Sequence, residues 1–259
     1  VDADKIEIDR YLPPQKVGTS GSGANVTPSP PPGSSPAAAF NRLGQLDLQS
    51  TVNVTALTLG GVVAERVALA LRTRNGRIAM SPITAGLYGG TAEADVQIDA
   101  RSTDPRLALE FGFSDVAAGP LLGALSRHET LDGRLSLSGD LSGSVAGGEA
   151  LLRSLNGRLR ATMGPGALRG INPDRSLCGA PGTGGRAAGD GCDPSPDSRF
   201  SMLRLGGNVA HGVWRSGDVL LVQQRRQSGS IYRLFGGGTL DLATGEIDYR
   251  LRAREAAGT

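Results

Sequence analysis

Apolar and polar residues alternate over most of the chain after residue 43, which is the pattern of strands that bury one face and expose the other. The segments LGQLDLQSTVNV, VALALRTRNGRIAM, LALEFGF and LDGRLSLSGDLSG all follow it. In TAEADVQIDA the apolar positions are Ala92, Ala94, Val96, Ile98 and Ala100. This periodicity predicts a mainly β protein with a long curved antiparallel sheet, either a groove or an open barrel-like form.

Glycines lie between many of the strand-like segments, where turns are expected. Asn75 and Gly76 lie between two such segments, and an Asn-Gly pair in that setting is the strongest short-range signal for a hairpin. Later in the chain, turns are expected at four glycines that separate apolar runs: Gly217, Gly229, Gly237 and Gly245. The spacing of these turns is typical of an antiparallel meander.

Two or three short helices are expected beside the sheet. SDVAAGPLLGALSRH carries a leucine stripe and begins at Ser114 or at Pro120, while GEALLRSLNG ends at Gly157, a residue typical of helix termination. After GRLRATMGPGALRGI, which is expected to form a strand and a turn, a further short helix is expected through Leu177.

Three regions follow from composition. Residues 1–12 are expected to form an edge strand. Residues 13–39 contain GTSGSG and PSPPPGSSP, a composition too poor in apolar residues to offset the entropy of ordering, so a linker or disordered loop is expected there. The alternating segments follow this loop.

The charge balance excludes one class of partner. The chain has 27 basic and 25 acidic residues, a formal net charge of +2, and no block of like charges. Phosphate backbones are bound by concentrated positive charge, so nucleic acid is not an expected partner.

The two cysteines, Cys178 and Cys192, bracket a glycine-rich segment. A disulfide between them would restrain that segment and would place the protein in an oxidising compartment. A pair of buried thiols is the alternative. Metal binding is disfavoured because neither a histidine nor a further pair of cysteines accompanies Cys178 and Cys192.

Catalytic residue sets are not evident. Acyl transfer by serine or cysteine needs a histidine base, and the chain has only His128, at the end of an expected helix, and His211, in a glycine-bordered turn. GTGGRAAGDG lacks the lysine followed by serine or threonine that a phosphate loop requires. The chain is therefore expected to be no enzyme and to require neither cofactor nor metal.

Several stretches, taken in order, resemble the C-terminal region of the AsmA family of bacterial envelope proteins. They are IDRYLPP at residues 8–14, RTRNGRIAMSPITAGLYGGTAEADVQIDAR at residues 72–101, GPLL, LDGRLSLSGDLSG, LLRSLNGRLRATMGPGALRGIN and GGGTLDLATGEIDYRL. The resemblance identifies residues 40–254 as an AsmA-like C-terminal β domain. It implies a periplasmic location, with an inner-membrane anchor in a segment outside this chain.

The same resemblance implies a role in envelope biogenesis, either binding or conducting phospholipid acyl chains between the two membranes, or assisting outer-membrane protein assembly as a scaffold. For the lipid role, the expected groove lining comprises Val52, Val54, Leu69, Leu71, Ile78, Ala94, Val96 and Ile98. The alternation leaves two arrangements open: an open groove, or a closed core packed on the helices.

Overall fold

The computed structural model describes residues 2–7, 36–126, 131–145, 148–170, 197–224 and 231–256. The strands are β1 (Asp2–Glu7), β2 (Leu48–Leu59), β3 (Val62–Arg74), β4 (Arg77–Leu87), β5 (Gly90–Asp99), β6 (Arg106–Ala117), β7 (Leu131–Ser144), β8 (Asn156–Leu168), β9 (Ser198–Phe200), β10 (Met202–Ala210), β11 (Val213–Gln224), β12 (Ile231–Asp241) and β13 (Ile247–Ala256). The helices are α1 (Pro36–Gly44), α2 (Ala118–Ser126) and α3 (Gly148–Ser154).

All the strands belong to one sheet in which chain neighbours are mostly sheet neighbours. The order runs from β1 through β8 to β10, β11, β12 and β13, and the short β9 pairs with the end of β8. Every pairing is antiparallel except that of β1 with β2, which is parallel. The sheet is curved and does not close into a barrel, which confirms the predicted fold class, including the short helices.

Bulges account for the bending of individual strands. The pairing register shifts at Glu65/Ala68 on β3, at Met80/Ile83 on β4 and at Phe113/Val116 on β6. Residues in two of these bulges, Arg66 and Asp115, have positive φ values of 50° and 58°. An extra residue in one strand of a pair bends that strand and increases its twist, so β3, β4 and β6 are expected to bend at these positions.

The predicted hairpin at Asn75 and Gly76 is confirmed, with φ values of 50° and 75° that fit a type I′ turn. Two of the other glycines were assigned wrongly: Gly217 lies within β11 and Gly237 within β12. A side chain on Gly237 would collide with the carbonyl oxygen of Ser216 on the neighbouring strand, so close strand approach requires this glycine. Gly245 lies in the β12–β13 turn, and Gly229 falls outside the described residues.

The helices depart from expectation mainly at α1, which begins at Pro36, inside the segment expected to be a linker. Proline at the first helical position has its φ angle already suited to the helix. Helix α2 begins at Ala118, between the two predicted starts, and α3 lies within the second predicted helix. The segment before Leu177 lies outside the described residues, as do Cys178, Cys192 and His128.

The three helices pack at the two ends of the strands. At one end, the Gly76 amide at the β3–β4 turn donates to the carbonyl oxygen of Gly44 at the end of α1, and the Gly212 amide donates to the carbonyl oxygen of Leu155 after α3, at 2.8 and 2.9 Å. At the other end, α2 approaches Gly61 in the β2–β3 turn. None of these helices has the length and apolarity that a membrane-spanning helix requires.

Candidate functional site

One face of the sheet, here called the apolar face, carries a row of directly opposed residues that crosses eleven strands. Directly opposed residues lie on the same face of a sheet, with Cβ atoms about 5 Å apart. We call this set the middle row; in sheet order it consists of Val52, Leu69, Ile83, Ala94, Phe111, Gly139, Leu159, Gly207, Ser216, Gly238 and Tyr249. At about 4.8 Å per strand, the row is about 48 Å long.

The middle row lies between two covered ends. At the first end, Ile78 and Ile98 are only 1% and 3% exposed and pack in a cluster with Phe40 and Leu43 of α1. At the second, Val116 is fully buried in a cluster that includes Leu121 of α2. The helices therefore bury the apolar face at both ends of the strands.

The middle row itself is incompletely covered. Ser216 is the exception, at 4% exposure. The other ten members, including the large side chains of Leu69, Ile83, Phe111 and Leu159, remain partly exposed. The apolar face thus has a half-buried strip that runs across the strands, along the length of the sheet.

The eight residues expected to line a groove all lie on the apolar face, but they divide between its covered and uncovered parts. Three belong to the middle row: Val52, Leu69 and Ala94. Two, Leu71 and Val96, are partly buried against the cluster beneath α1. The remaining three are buried: Val54, Ile78 and Ile98. The apolar face therefore combines a core covered by helices with a half-buried strip.

Sequence reasoning missed Ile83 and every member of the middle row from β6 onward. Phe111 was within a recognised alternating segment, so its period-two pattern was available as a signal. Gly139, Gly207 and Gly238 resemble turn residues in the sequence, although each lies inside a strand. Tyr249 had no distinguishing signal other than its place in the alternation of IDYRL.

Glycines in the row leave room for larger neighbours. A side chain on Gly139 would lie 2.6 Å from Leu159 Cδ2 and 2.8 Å from Phe111 Cε1, so these two side chains lean over the glycine from either side. A side chain on Gly207 would lie 2.7 Å from Trp214 Nε1. Small and large residues thus alternate along the row from β6 to β8.

Polar groups enter the apolar face at β11 and β13. Two buried polar atoms of the described residues lack a hydrogen-bond partner: Nε1 of Trp214 and the hydroxyl of Tyr249. The Ser216 hydroxyl donates to the carbonyl oxygen of Gly206 at 2.7 Å. Burial raises the pKa of Tyr249. This part of the face is consequently less uniformly apolar than β2–β6.

The opposite face of the sheet is polar. A depression of about 440 Å³ over β6, β7, β8 and β10 is lined by residues of this face and by four members of the middle row, Phe111, Gly139, Leu159 and Gly207. Its lining includes Asp140 and Arg158, which form an exposed ion pair with an N–O distance of 3.1 Å. His211 is exposed in the β10–β11 turn, where its amide donates to Asn156 Oδ1. Within the described ranges, no three acidic, histidine or cysteine side chains are grouped as metal ligands would be.

Comparison with known proteins gives one family and one curated relative. Residues 15–219 match the model of the AsmA family. The chain is 25% identical over 193 residues to Protein AsmA of Escherichia coli (strain K12), a match that covers 74% of this chain and 30% of that protein. The chain thus corresponds to less than a third of the length of this relative. No solved structure matches it significantly.

Proposed function

Since the chain belongs to the AsmA family, we propose that it is a non-enzymatic domain of envelope biogenesis that binds phospholipid acyl chains along its middle row. Family membership supports an envelope-biogenesis role and is consistent with a periplasmic location. We also propose that the domain conducts lipid between the inner and outer membranes. In this proposal, a segment outside this chain anchors the protein in the inner membrane.

The observation that carries the proposal is the half-buried middle row, which holds only apolar residues and one glycine from β2 to β8 and continues over Gly207, Ser216 and Gly238 on β10–β12. An acyl chain is a flexible string of CH₂ groups without polar atoms, and each one removed from water contributes about 0.8 kcal/mol. A row of side chains about 5 Å apart can contact such a string along its length. Contacts of this kind are non-directional, so the chain could move along the row without breaking hydrogen bonds.

The helices give the proposed path its direction. Because α1 and α3 cover one end of the strands and α2 the other, acyl chains lying parallel to the strands would meet these helices. Chains lying across the strands would follow the half-buried middle row, in which Phe111 and Leu159 also contact the cluster beside α3. The long axis of the sheet is therefore the proposed axis of lipid movement.

Native mass spectrometry of the 259-residue chain, extracted gently from a host envelope, tests the proposal. We expect phospholipid masses bound to the parent and fewer of them on the double variant Leu69→Asn with Ile83→Asn. These two residues oppose each other in the middle row. The matched control is Ala68→Asn with Thr84→Asn, an opposed pair on the polar face of the same two strands. A lipid-free parent, or equal loss in both double variants, would contradict acyl-chain binding.

The second candidate function, assistance to outer-membrane protein assembly, is favoured by the edge strand β13. It is the last strand in the sheet order, and its Ile247 is 68% exposed. A free strand edge can pair with a strand of another protein. Photocrosslinking in cells from Ile247 distinguishes the two: protein adducts without lipid adducts at the middle row would favour the assembly role.

A further inference from the structure

The polar face of β10–β13 differs from the rest of that face in composition. Arg204, Leu220, Phe235 and Arg252 are directly opposed across these four strands. Met202 and Arg233 belong to the next row on the same face, two residues along the strands from the first row. Arg250 is also on this face, two residues from Arg252 in the opposite direction along the strands. We call the set of Met202, Arg204, Phe235, Arg233, Arg250 and Arg252 the basic–apolar patch.

Both kinds of residue in the patch are accessible. Phe235 and Met202 are 41% and 40% exposed, although they are large apolar side chains. The four arginines are exposed, and none forms an ion pair with a carboxylate in the described part of the chain. Elsewhere on the polar face, by contrast, Arg158 is paired with Asp140.

Folding does not account for this arrangement. Exposed apolar side chains leave area in contact with water, and Arg250 and Arg252, two residues apart on the same face of β13, repel each other. An anionic surface would relieve the repulsion. If that surface also had an apolar layer beneath its anionic groups, Phe235 and Met202 could be removed from water as well.

We propose that the basic–apolar patch docks the domain on the surface of an anionic phospholipid bilayer. Arginine side chains would contact the lipid phosphates, and Phe235 and Met202 would enter the boundary between headgroups and acyl chains. The polar face of β5 and β6 carries Glu93, Asp95 and Glu110 instead, which the same surface repels. Charge therefore also fixes which part of the sheet faces the bilayer. This proposal concerns the polar face and does not depend on acyl-chain binding by the apolar face.

Vesicle co-sedimentation of the 259-residue chain tests the patch. The vesicles contain phosphatidylcholine alone, or phosphatidylcholine with about one third phosphatidylglycerol. We expect the parent to sediment with the anionic vesicles and not with the neutral ones. The triple variant Arg204→Gln, Arg233→Gln and Arg252→Gln should bind roughly tenfold or more weakly, since each arginine near the surface adds to the attraction.

The control is a triple variant with the same change in charge on the polar face of β3–β6: Arg72→Gln, Arg77→Gln and Arg106→Gln. All three of these arginines are exposed, and they lie on strands remote from the patch in the sheet order. Binding of this control within about twofold of the parent supports a localised patch. Equal weakening of both triple variants would overturn it in favour of a general charge effect.

A third variant tests the apolar part. Phe235→Ser with Met202→Ser should weaken binding about threefold and remove the part of the parent's binding that persists at high salt. If this variant binds like the parent and salt abolishes all binding, the surface is purely electrostatic and suits an acidic protein, which overturns the bilayer assignment. Failure of the parent to bind anionic vesicles overturns it as well. The Leu69→Asn, Ile83→Asn variant should bind vesicles like the parent, which separates the patch from the proposed lipid row.

Discussion

The two parts of the apolar face are built from the same residue types and differ in what covers them. Beneath α1, Ile78 and Ile98 are nearly inaccessible, in contact with Phe40 and Leu43 of the helix. A few residues along the same strands, Leu69, Ile83 and Ala94 are partly exposed. The first part is a conventional hydrophobic core. The second is an apolar surface left open by the three short helices.

This difference shows that the alternation of residues in a strand determines which side chains lie on the apolar face, but not whether a helix covers them. Period-two patterning places an apolar side chain on the apolar face whether it will be buried by a helix or left accessible. The division into core and accessible strip depends on helices of seven to nine residues. Experiments that change one part and leave the other intact can therefore test the division.

The largest expected effect is on stability, from truncation in the covered part. Ile78→Ala should lower the free energy of unfolding by about 3 kcal/mol, because it leaves a cavity beneath α1. Leu69→Ala, in the middle row, should cost about 1 kcal/mol, since its side chain is already partly exposed. Urea denaturation of both variants measures the contrast. Equal losses would mean that the middle row is as well packed as the core.

Removal of the helix contact should convert covered surface into accessible surface. Phe40→Ala should lower the free energy of unfolding by about 2 kcal/mol and raise the binding of an environment-sensitive hydrophobic dye, because the cluster around Ile78 loses part of its cover. Dye fluorescence at a denaturant concentration below the unfolding transition measures this. Unchanged dye binding would show that α1 does not shield the cluster.

Filling the middle row should reduce lipid occupancy with little effect on stability. Gly139→Leu places a side chain between Phe111 and Leu159, whose flexible ends can move aside, at a cost of about 1 kcal/mol. The matched control is Gly112→Leu, where an added Cβ has no atom within 4 Å. Native mass spectrometry should show less bound phospholipid for Gly139→Leu than for the control. Equal occupancy would argue against a lipid path over Gly139.

The smallest expected effect is on acid stability near the α1 end. Arg101 donates side-chain and backbone hydrogen bonds to Asp99, which lower the pKa of Asp99 from 3.8 to about 2. A lowered folded-state pKa stabilises the fold above pH 3.8, and that contribution is lost as the pH falls through about 2. Thermal unfolding at several pH values should show a flatter acid dependence for Asp99→Asn and for Arg101→Gln. A parental slope in both variants would contradict this role.

Sequence could predict the β2–β7 part of the fold because its apolar runs alternate with few interruptions and the Asn75–Gly76 turn has an unambiguous signal. It could not predict α1, because Pro36 follows a proline-rich segment that indicates disorder. It could not place Ile83 beside Leu69 either. That pairing depends on the bulges at Arg66 and Met80/Ile83, which change the register by steps that no local pattern encodes.

The strands from β10 to β13 were harder to predict from the sequence, again because local patterns do not encode how strands pair. Gly217 and Gly237 have the residue type of turns, yet Gly217 lies in the bulge between Ser216 and Val219 of β11, and Gly237 lies where β12 approaches β11 closely. Which glycine turns the chain and which one admits a neighbouring strand is decided by tertiary packing. The middle row from β10 to β13 became visible only once those strands were paired.

The most direct test of the central claim is photocrosslinking from two adjacent positions on opposite faces of β4. A photoreactive amino acid at Ile83 lies in the middle row, and one at Thr84 lies on the polar face. The account predicts phospholipid adducts from position 83 and few or none from position 84 when the chain is irradiated in its host envelope. Equal adducts from both positions, or none from position 83, would contradict acyl-chain binding along the middle row.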